Sequence, residues 1–178
     1  IEKLQVSIKG PADFVTESDH KVERILINEL KKARPDYSFL AEESGEINNK
    51  NKEFRWIVDP IDGTLNFLHG IPHFCISLAL EKRQEIICGI IFDPIKNEFF
   101  AAEKGNGAYL NNQRIRVSGR SKLNDCIIFT GGPRFNAKDK DESFKEYEKI
   151  SKRIQSPIRK LGSAALDMAY VASGRCDG

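Results

Sequence analysis

Histidine is scarce in this chain, and nothing resembling a metal-binding sulfur motif is present. Of 178 residues only 3 are histidine. The 4 cysteines, Cys75, Cys88, Cys126 and Cys176, are widely spaced and form no Cys-x-x-Cys pair. Three of them lie in apolar, strand-like runs, so they read as buried free thiols rather than a redox or zinc centre. No apolar run approaches the ~20 residues of a membrane helix. The first ten residues, "IEKLQVSIKG", lack the layout of a secretory signal, so the expected location is cytoplasmic, with no membrane partner. Net charge is only +2, which excludes a strong field for nucleic acid or lipid. The basic pieces "KKAR", "QRIRVSGRSK" and "KRIQSPIRK" read as solvated faces. Internal repeats and low-complexity segments are also missing.

What is present suits a globular chain: 40% hydrophobic and 30% charged residues, enough for one substantial core or for a domain plus part of another. Residues 19 to about 34 place Val22, Ile25, Leu26, Glu29 and Leu30 on one helical stripe, with Pro35 as a stop. "YSFLAEES" and "FRWIV" read as strands that end in carboxylates. "GEINNKNKEF" between them is polar and reads as a mobile loop. From Phe74 onward "FCISLALEK", "EIICGIIFD", "EFFAAEK" and "GAYLN", separated by turn signals, predict an antiparallel meander. The strand "CIIFTGG", a charged helix near 139–154, a short strand near "SPIRKL" and the helix "SAALDMAYVAS" follow with α/β spacing. The expected organisation is an N-terminal α+β half over 1–130 and the start of a C-terminal α/β half over 131–178.

The stretch "FRWIVDPIDGTLNF" delivers Asp59 and Asp62 from an apolar run into a glycine. Asp-Pro and Asp-Gly are ordinary turn dipeptides, and a surface turn is the bland reading. Chemistry enters if Glu42, Asp59 and Asp62, placed after strand ends, converge with Asp19 at the start of a helix. Two unit charges about 4 Å apart repel by ~1 kcal/mol in water and ~4 kcal/mol at the effective dielectric of a protein surface. Such a cluster calls for a cation. Donors made of oxygen alone select a hard ion, so Mg²⁺ is expected, with Mn²⁺ as the alternative. Asp62-Gly63-Thr64 would open a helical turn whose amides, with the helix dipole behind them, form a seat for phosphate.

The segments "DFVTESD", "FLAEESGE", "WIVDPIDGTLNFLHG" and "LGSAALDMAYVASG" together resemble the inositol monophosphatase family, in its bacterial inositol-1-monophosphatase or extragenic-suppressor form. The resemblance implies a layered α-β-α-β-α sandwich of the sugar-phosphatase type and a lithium-sensitive phosphatase using two or three Mg²⁺ ions. By the same resemblance Glu42, Asp59, the carbonyl of Ile61 and Asp62 bind metal. Thr64 and Asp19 orient and deprotonate the attacking water, with Glu42 assisting. The amides of Gly63 and Thr64, beside Asp62, hold the phosphate, and Gly162, Ser163 and Ala164 border the sugar-alcohol pocket. The substrate implied is a small phosphorylated polyol, inositol 1-phosphate, and the assembly a homodimer. His69 and His73 in "HGIPH" are separated by a proline and read as local structure or pocket edge rather than zinc ligands. Asn66 and Phe67 are expected to brace the short helix, and Asp167 to be capped or paired.

The family's Trp-Asp-x-Ala-Ala-Gly motif has no counterpart here, nor does its first helix, so the chain reads as truncated at both ends, its C-terminal half incomplete. On that reading residues 1–178 alone are poorly active. Two other expectations compete: the same chemistry on fructose 1,6-bisphosphate, histidinol phosphate or a 3'-phosphonucleotide, and a non-catalytic binding role with RNA or the RNA-polymerase complex.

Overall fold

The computed structural model describes residues 6–10, 13–132, 140–154 and 158–178, with side chains from Glu17 onward except that of Lys140. A hairpin of β1 (Val6–Gly10) and β2 (Asp13–Thr16) leads into α1 (Glu17–Ala33). Then come β3 (Tyr37–Ala41), β4 (Gly45–Ile47), β5 (Asn51–Asp62), the short helix α2 (Thr64–Leu68), and the meander β6 (Cys75–Lys82), β7 (Glu85–Asp93), β8 (Glu98–Glu103), β9 (Gly107–Leu110) and β10 (Gln113–Arg114). The chain closes with β11 (Ile128–Phe129), α3 (Lys140–Arg153), β12 (Ile158–Arg159) and α4 (Ala164–Ala172). This is the expected α+β class.

One 8-stranded sheet, in the order β10-β9-β8-β7-β6-β5-β3-β4, carries the architecture. All its pairings are antiparallel except β3 with β5. Because side chains alternate across a strand, the sheet has two apolar faces. On one, Ile27 of α1 packs with Phe39, Ala41 and Val58. On the other, Ala165, Leu166 and Ala169 of α4 pack with Cys75 and Phe100. The site lies where β5 leaves this second core. Farther along that face Ile91, Tyr109, Met168 and Ala172 line an apolar groove, in which Met168 is 64% exposed.

Three expectations change. The segment 45–54 is not a loop: β4 pairs with β3, and β5 already begins at Asn51. In α1 the buried line is Asp19, Glu23 and Ile27, whereas Ile25 is 50% exposed. The strand "FRWIV" does not end at Asp59, since β5 runs on to Asp62. The charged helix is present as α3, and the first residue of its expected span, 139, lies outside the described residues.

Candidate active site

Asp59 and Asp62 are three positions apart, which in a regular strand sends their side chains to opposite faces. The pairing with β6 prevents this. Asp59 lies opposite Ser77 and Asp62 opposite Cys75, with an irregularity between the two aspartates. Three steps on β5 therefore match two on β6, a β-bulge of one extra residue. The bulge restores parity, and both carboxylates emerge on the face that holds Cys75 and α4. Pro60 falls inside it, where a missing N–H is tolerated.

Glu42 reaches the same place through the parallel neighbour. Ala41 pairs with Val58, and both are buried under α1. The next residues, Glu42 and Asp59, therefore turn to the α4 side together. The Glu42 amide donates to the Val58 carbonyl at 3.1 Å, fixing the start of the turn. Burial, then the charges of Glu42 and Asp62 and a direct carboxyl contact with Glu42, push Asp59 up to about 8. Its Oδ1 is buried without a hydrogen-bond partner among the described residues.

Asp62 is held differently. Its Oδ2 accepts from the Ser163 hydroxyl at 2.6 Å and from the Ala165 amide at 2.6 Å, so a carboxylate caps α4, where the helix dipole favours negative charge. The Cys75 thiol lies 3.9 Å from the same oxygen. Ser163 is also the N-cap of α4, accepting from the Leu166 amide. Of the residues expected to border the polyol pocket, Ser163 is thus buried against Asp62 while Gly162 and Ala164 on either side are exposed.

Gly63 caps α2 with φ 95° and ψ 35°, in the left-handed region that only glycine enters freely. A Cβ on Gly63 would meet the carbonyls of His73 at 3.1 Å and Gly162 at 3.2 Å. Thr64 follows, and its hydroxyl lies 3.0 Å from the Ile61 carbonyl and 3.3 Å from Asp19 Oδ1. Asp19 itself is 1% exposed. Asn66 braces this turn as expected, its amide donating to the His73 carbonyl at 2.7 Å and the Leu161 carbonyl at 2.8 Å.

The structure thus resolves the expected four-acid cluster into separate contacts: Glu42 with Asp59, Asp62 with α4, and Asp19 with Thr64. Among the described residues no three acid, histidine or cysteine side chains close on one point. Mutual repulsion of carboxylates opposes such closure, and Asp62 has good donors elsewhere. The donor set still fits a hard cation. It is made of oxygen only, one Asp59 oxygen is buried and unpartnered, and the Glu42–Asp59 contact is unfavourable for two ionised groups.

Two supporting residues, Glu23 and Cys75, were not assigned to the site from the sequence, and a third, His73, was read only as local structure or pocket edge. Glu23, 1% exposed, accepts from the amides of Glu43 at 2.7 Å and Ser44 at 3.0 Å, holding the turn that carries Glu42. Its signal was an acid one helical turn from Asp19. Cys75 sits under Asp62. His73 Nε2 faces Asp167 Oδ1 at 3.4 Å, the pairing expected of Asp167.

The sequence matches the Inositol monophosphatase family over residues 2–178. An inositol-1-monophosphatase of Rhizobium meliloti is 50% identical over 178 residues, covering 100% of this chain and 66% of that protein. A Nus factor SuhB of Vibrio cholerae is 42% identical over 177 residues, 99% of this chain and 66% of its own length. The crystal structure of extragenic suppressor protein suhB from Bartonella henselae superposes with a TM-score of 0.92 at 50% identity, covering 98% of this chain and 67% of that one. The chain spans about two thirds of the length of the curated relatives it matches. Motifs, fold and relatives agree that this chain belongs to the inositol monophosphatase family.

Proposed function

We propose that the protein is a Mg²⁺-dependent phosphomonoester hydrolase that converts inositol 1-phosphate and water to inositol and phosphate, with Mn²⁺ as the alternative ion. The observation that supports it most is the bulge in β5. It sets Asp59 and Asp62 on one face, beside Glu42, with a buried Asp59 oxygen that has no hydrogen-bond partner among the described residues. Glu42, Asp59, Asp62 and the Ile61 carbonyl are the groups that would hold the ions. Bound there, the ions would neutralise the acids, lower the pKa of a coordinated water and offset charge on the phosphoryl group.

The chain's own residues do the positioning. Thr64, whose hydroxyl lies between the Ile61 carbonyl and Asp19, orients the water, and Asp19 accepts its proton. The Gly63 and Thr64 amides at the start of α2 bind phosphate oxygens, and the missing side chain at Gly63 permits the close approach. Gly162, Ser163 and Ala164 flank the polyol. No residue is needed as a covalent nucleophile, because phosphoryl transfer is mostly positioning and charge neutralisation. Dimerisation and a cytoplasmic location complete the proposal.

Phosphate release from inositol 1-phosphate with Mg²⁺, measured beside fructose 1,6-bisphosphate, histidinol phosphate and a 3'-phosphonucleotide, tests the reading and names the substrate. Asp62→Asn should abolish turnover while leaving the fold intact. No release from any member of the panel, or turnover unchanged in Asp62→Asn, overturns the proposal. A second reading, contact with the transcription machinery, draws on relatives named Nus factor SuhB. A cellular role that survives Asp62→Asn would favour it.

A further inference from the structure

The functional reading leaves His73 and Asp167 unused, although both are set into the interior beside it. His73 is 9% exposed. Its Nε2 lies 3.4 Å from Asp167 Oδ1, and neither atom has a hydrogen-bond partner among the described residues. The His73 ring is held edge-on against Tyr170, with centroids 5.8 Å apart. Its carbonyl is fixed by Asn66. Two polar atoms removed from water with only each other in reach depend on one another.

Their place in the chain gives the pair its meaning. Ser163 and Asp167 are one helical turn apart and lie on the same side of α4, and the Asp167 amide bonds the Ser163 carbonyl at 3.0 Å. Ser163 grips Asp62, at the end of β5. Asp167 faces His73, just before β6. The first turn of α4 is therefore attached at two points, one to each strand that brackets the bulge. A single attachment at Asp62 would leave α4 free to roll about that contact, carrying the Ser163 hydroxyl and the Ala165 amide with it. The second attachment stops the roll.

We propose that His73 and Asp167 form a positioning pair that locks the first turn of α4 and so fixes the orientation of the Asp62 carboxylate toward a bound cation. This rests on the metal-dependent reading above. Neither residue is a catalytic residue, since both act through Ser163 and Ala165.

The test uses the purified full-length protein and Mn²⁺ as probe, with affinity measured by calorimetry without substrate, alongside kinetics and thermal melts. His73→Ala and Asp167→Ala should each weaken Mn²⁺ binding about tenfold or more, as loss of an outer partner of a metal ligand does. The double variant should be no weaker than the worse single by more than about threefold, because the two changes break one contact. His73→Gln and Asp167→Asn, which keep a polar partner, should lie within about threefold of the parent, and they supply the readout if the alanine variants fail to fold. KM for inositol 1-phosphate at saturating metal should move far less than the metal affinity. Losses that multiply in the double variant, or Mn²⁺ affinity unchanged in a His73→Ala protein that melts within about 2 °C of the parent, overturn the pair. A parent that binds Mn²⁺ but hydrolyses no phosphomonoester overturns the proposed function, and the calorimetric cycle still decides the pair. A parent that binds no Mn²⁺ overturns both.

Discussion

Gly63→Ala is the sharpest test of how the turn between β5 and α2 is built. Two effects oppose folding and one favours it. The left-handed φ of 95° costs an L-residue about 1–2 kcal/mol. The added Cβ would stand 3.1 Å from the His73 carbonyl, 3.2 Å from the Gly162 carbonyl and 3.3 Å from the Phe74 Cα. All three are backbone atoms, which cannot swing aside as a flexible side chain does. Overpacking of this kind costs about 1–3 kcal/mol. Against these, alanine restricts the unfolded chain and returns about 0.4–1 kcal/mol. The net expectation is a loss of about 1–4.5 kcal/mol, or roughly 2–18 °C in melting temperature for a chain of this size. Gly105 is the control. It too has positive φ, 84°, but nothing lies within 4 Å of its Cβ position, so Gly105→Ala carries the conformational term alone. Urea denaturation followed by circular dichroism should show Gly63→Ala the less stable of the two by about 1–3 kcal/mol. Equal stabilities would mean that His73 and Gly162 do not close on this turn. The account of how Ser163 is brought to Asp62 would then fail with it.

Glu23→Gln should lower stability by about 2–4 kcal/mol in the same assay, because the amide's NH₂ would oppose one of the donors that Glu43 and Ser44 present to the carboxylate. An unchanged urea midpoint would show that this buried acid does not hold the turn. Asp93 is a pH-dependent case: burial alone would raise its pKa, but the ammonium and amide of Lys96 and the amide of Ile95 outweigh that and hold it below the usual carboxylate range. A depressed folded pKa contributes stability above the unfolded value, about 4, and loses it as pH falls through the folded value. Asp93→Asn should therefore be about 1.5–3 kcal/mol less stable than the parent at pH 7, with the gap closing at more acidic pH. A gap of constant size down to pH 3 would show that the charge is not what stabilises this turn.

Much of the fold was legible because it depends on local pattern. Alternating apolar positions from Cys75 to Leu110 gave the meander, and "SAALDMAYVAS" gave α4 almost to its ends. The acids were legible as residue types. Their arrangement was not, because side-chain parity in β5 depends on which β6 residues lie opposite, and the bulge at Pro60 and Ile61 exists only in that pairing. A strand predicted to end at Asp59 places two carboxylates at or just past a strand terminus. The strand that actually continues places them on one face by inserting a residue. Ile25 failed for a related reason: helical spacing fixes which residues share a stripe, but α1 buries the line through Asp19, Glu23 and Ile27. Two of those three are acids, and a hydrophobic stripe drawn from sequence passes over them. Each is buried because it has its own partners, Thr64 for Asp19 and the 43–44 turn for Glu23.

The acidic site therefore has two origins of different mechanical character. Glu42 and Asp59 directly follow the paired strand residues Ala41 and Val58, and Glu23 holds the turn that carries Glu42, so their relation is set by the sheet and by α1 against it. Asp62 is placed by bonds to residues 101 and 103 positions further along the chain, so its orientation changes whenever α4 shifts. Substitutions in the sheet should act on the Glu42–Asp59 half together with global stability, since stability in a packed sheet is shared. Substitutions around α4 should be able to act on Asp62 with little loss of fold, because a helix released at one of its two attachments can roll over an apolar face before it detaches. A ligand that bridges Asp59 and Asp62 joins the halves, and its affinity is then set by the looser one. On this reasoning, control over the site lies in the first turn of α4, more than a hundred residues from the motif that announces it.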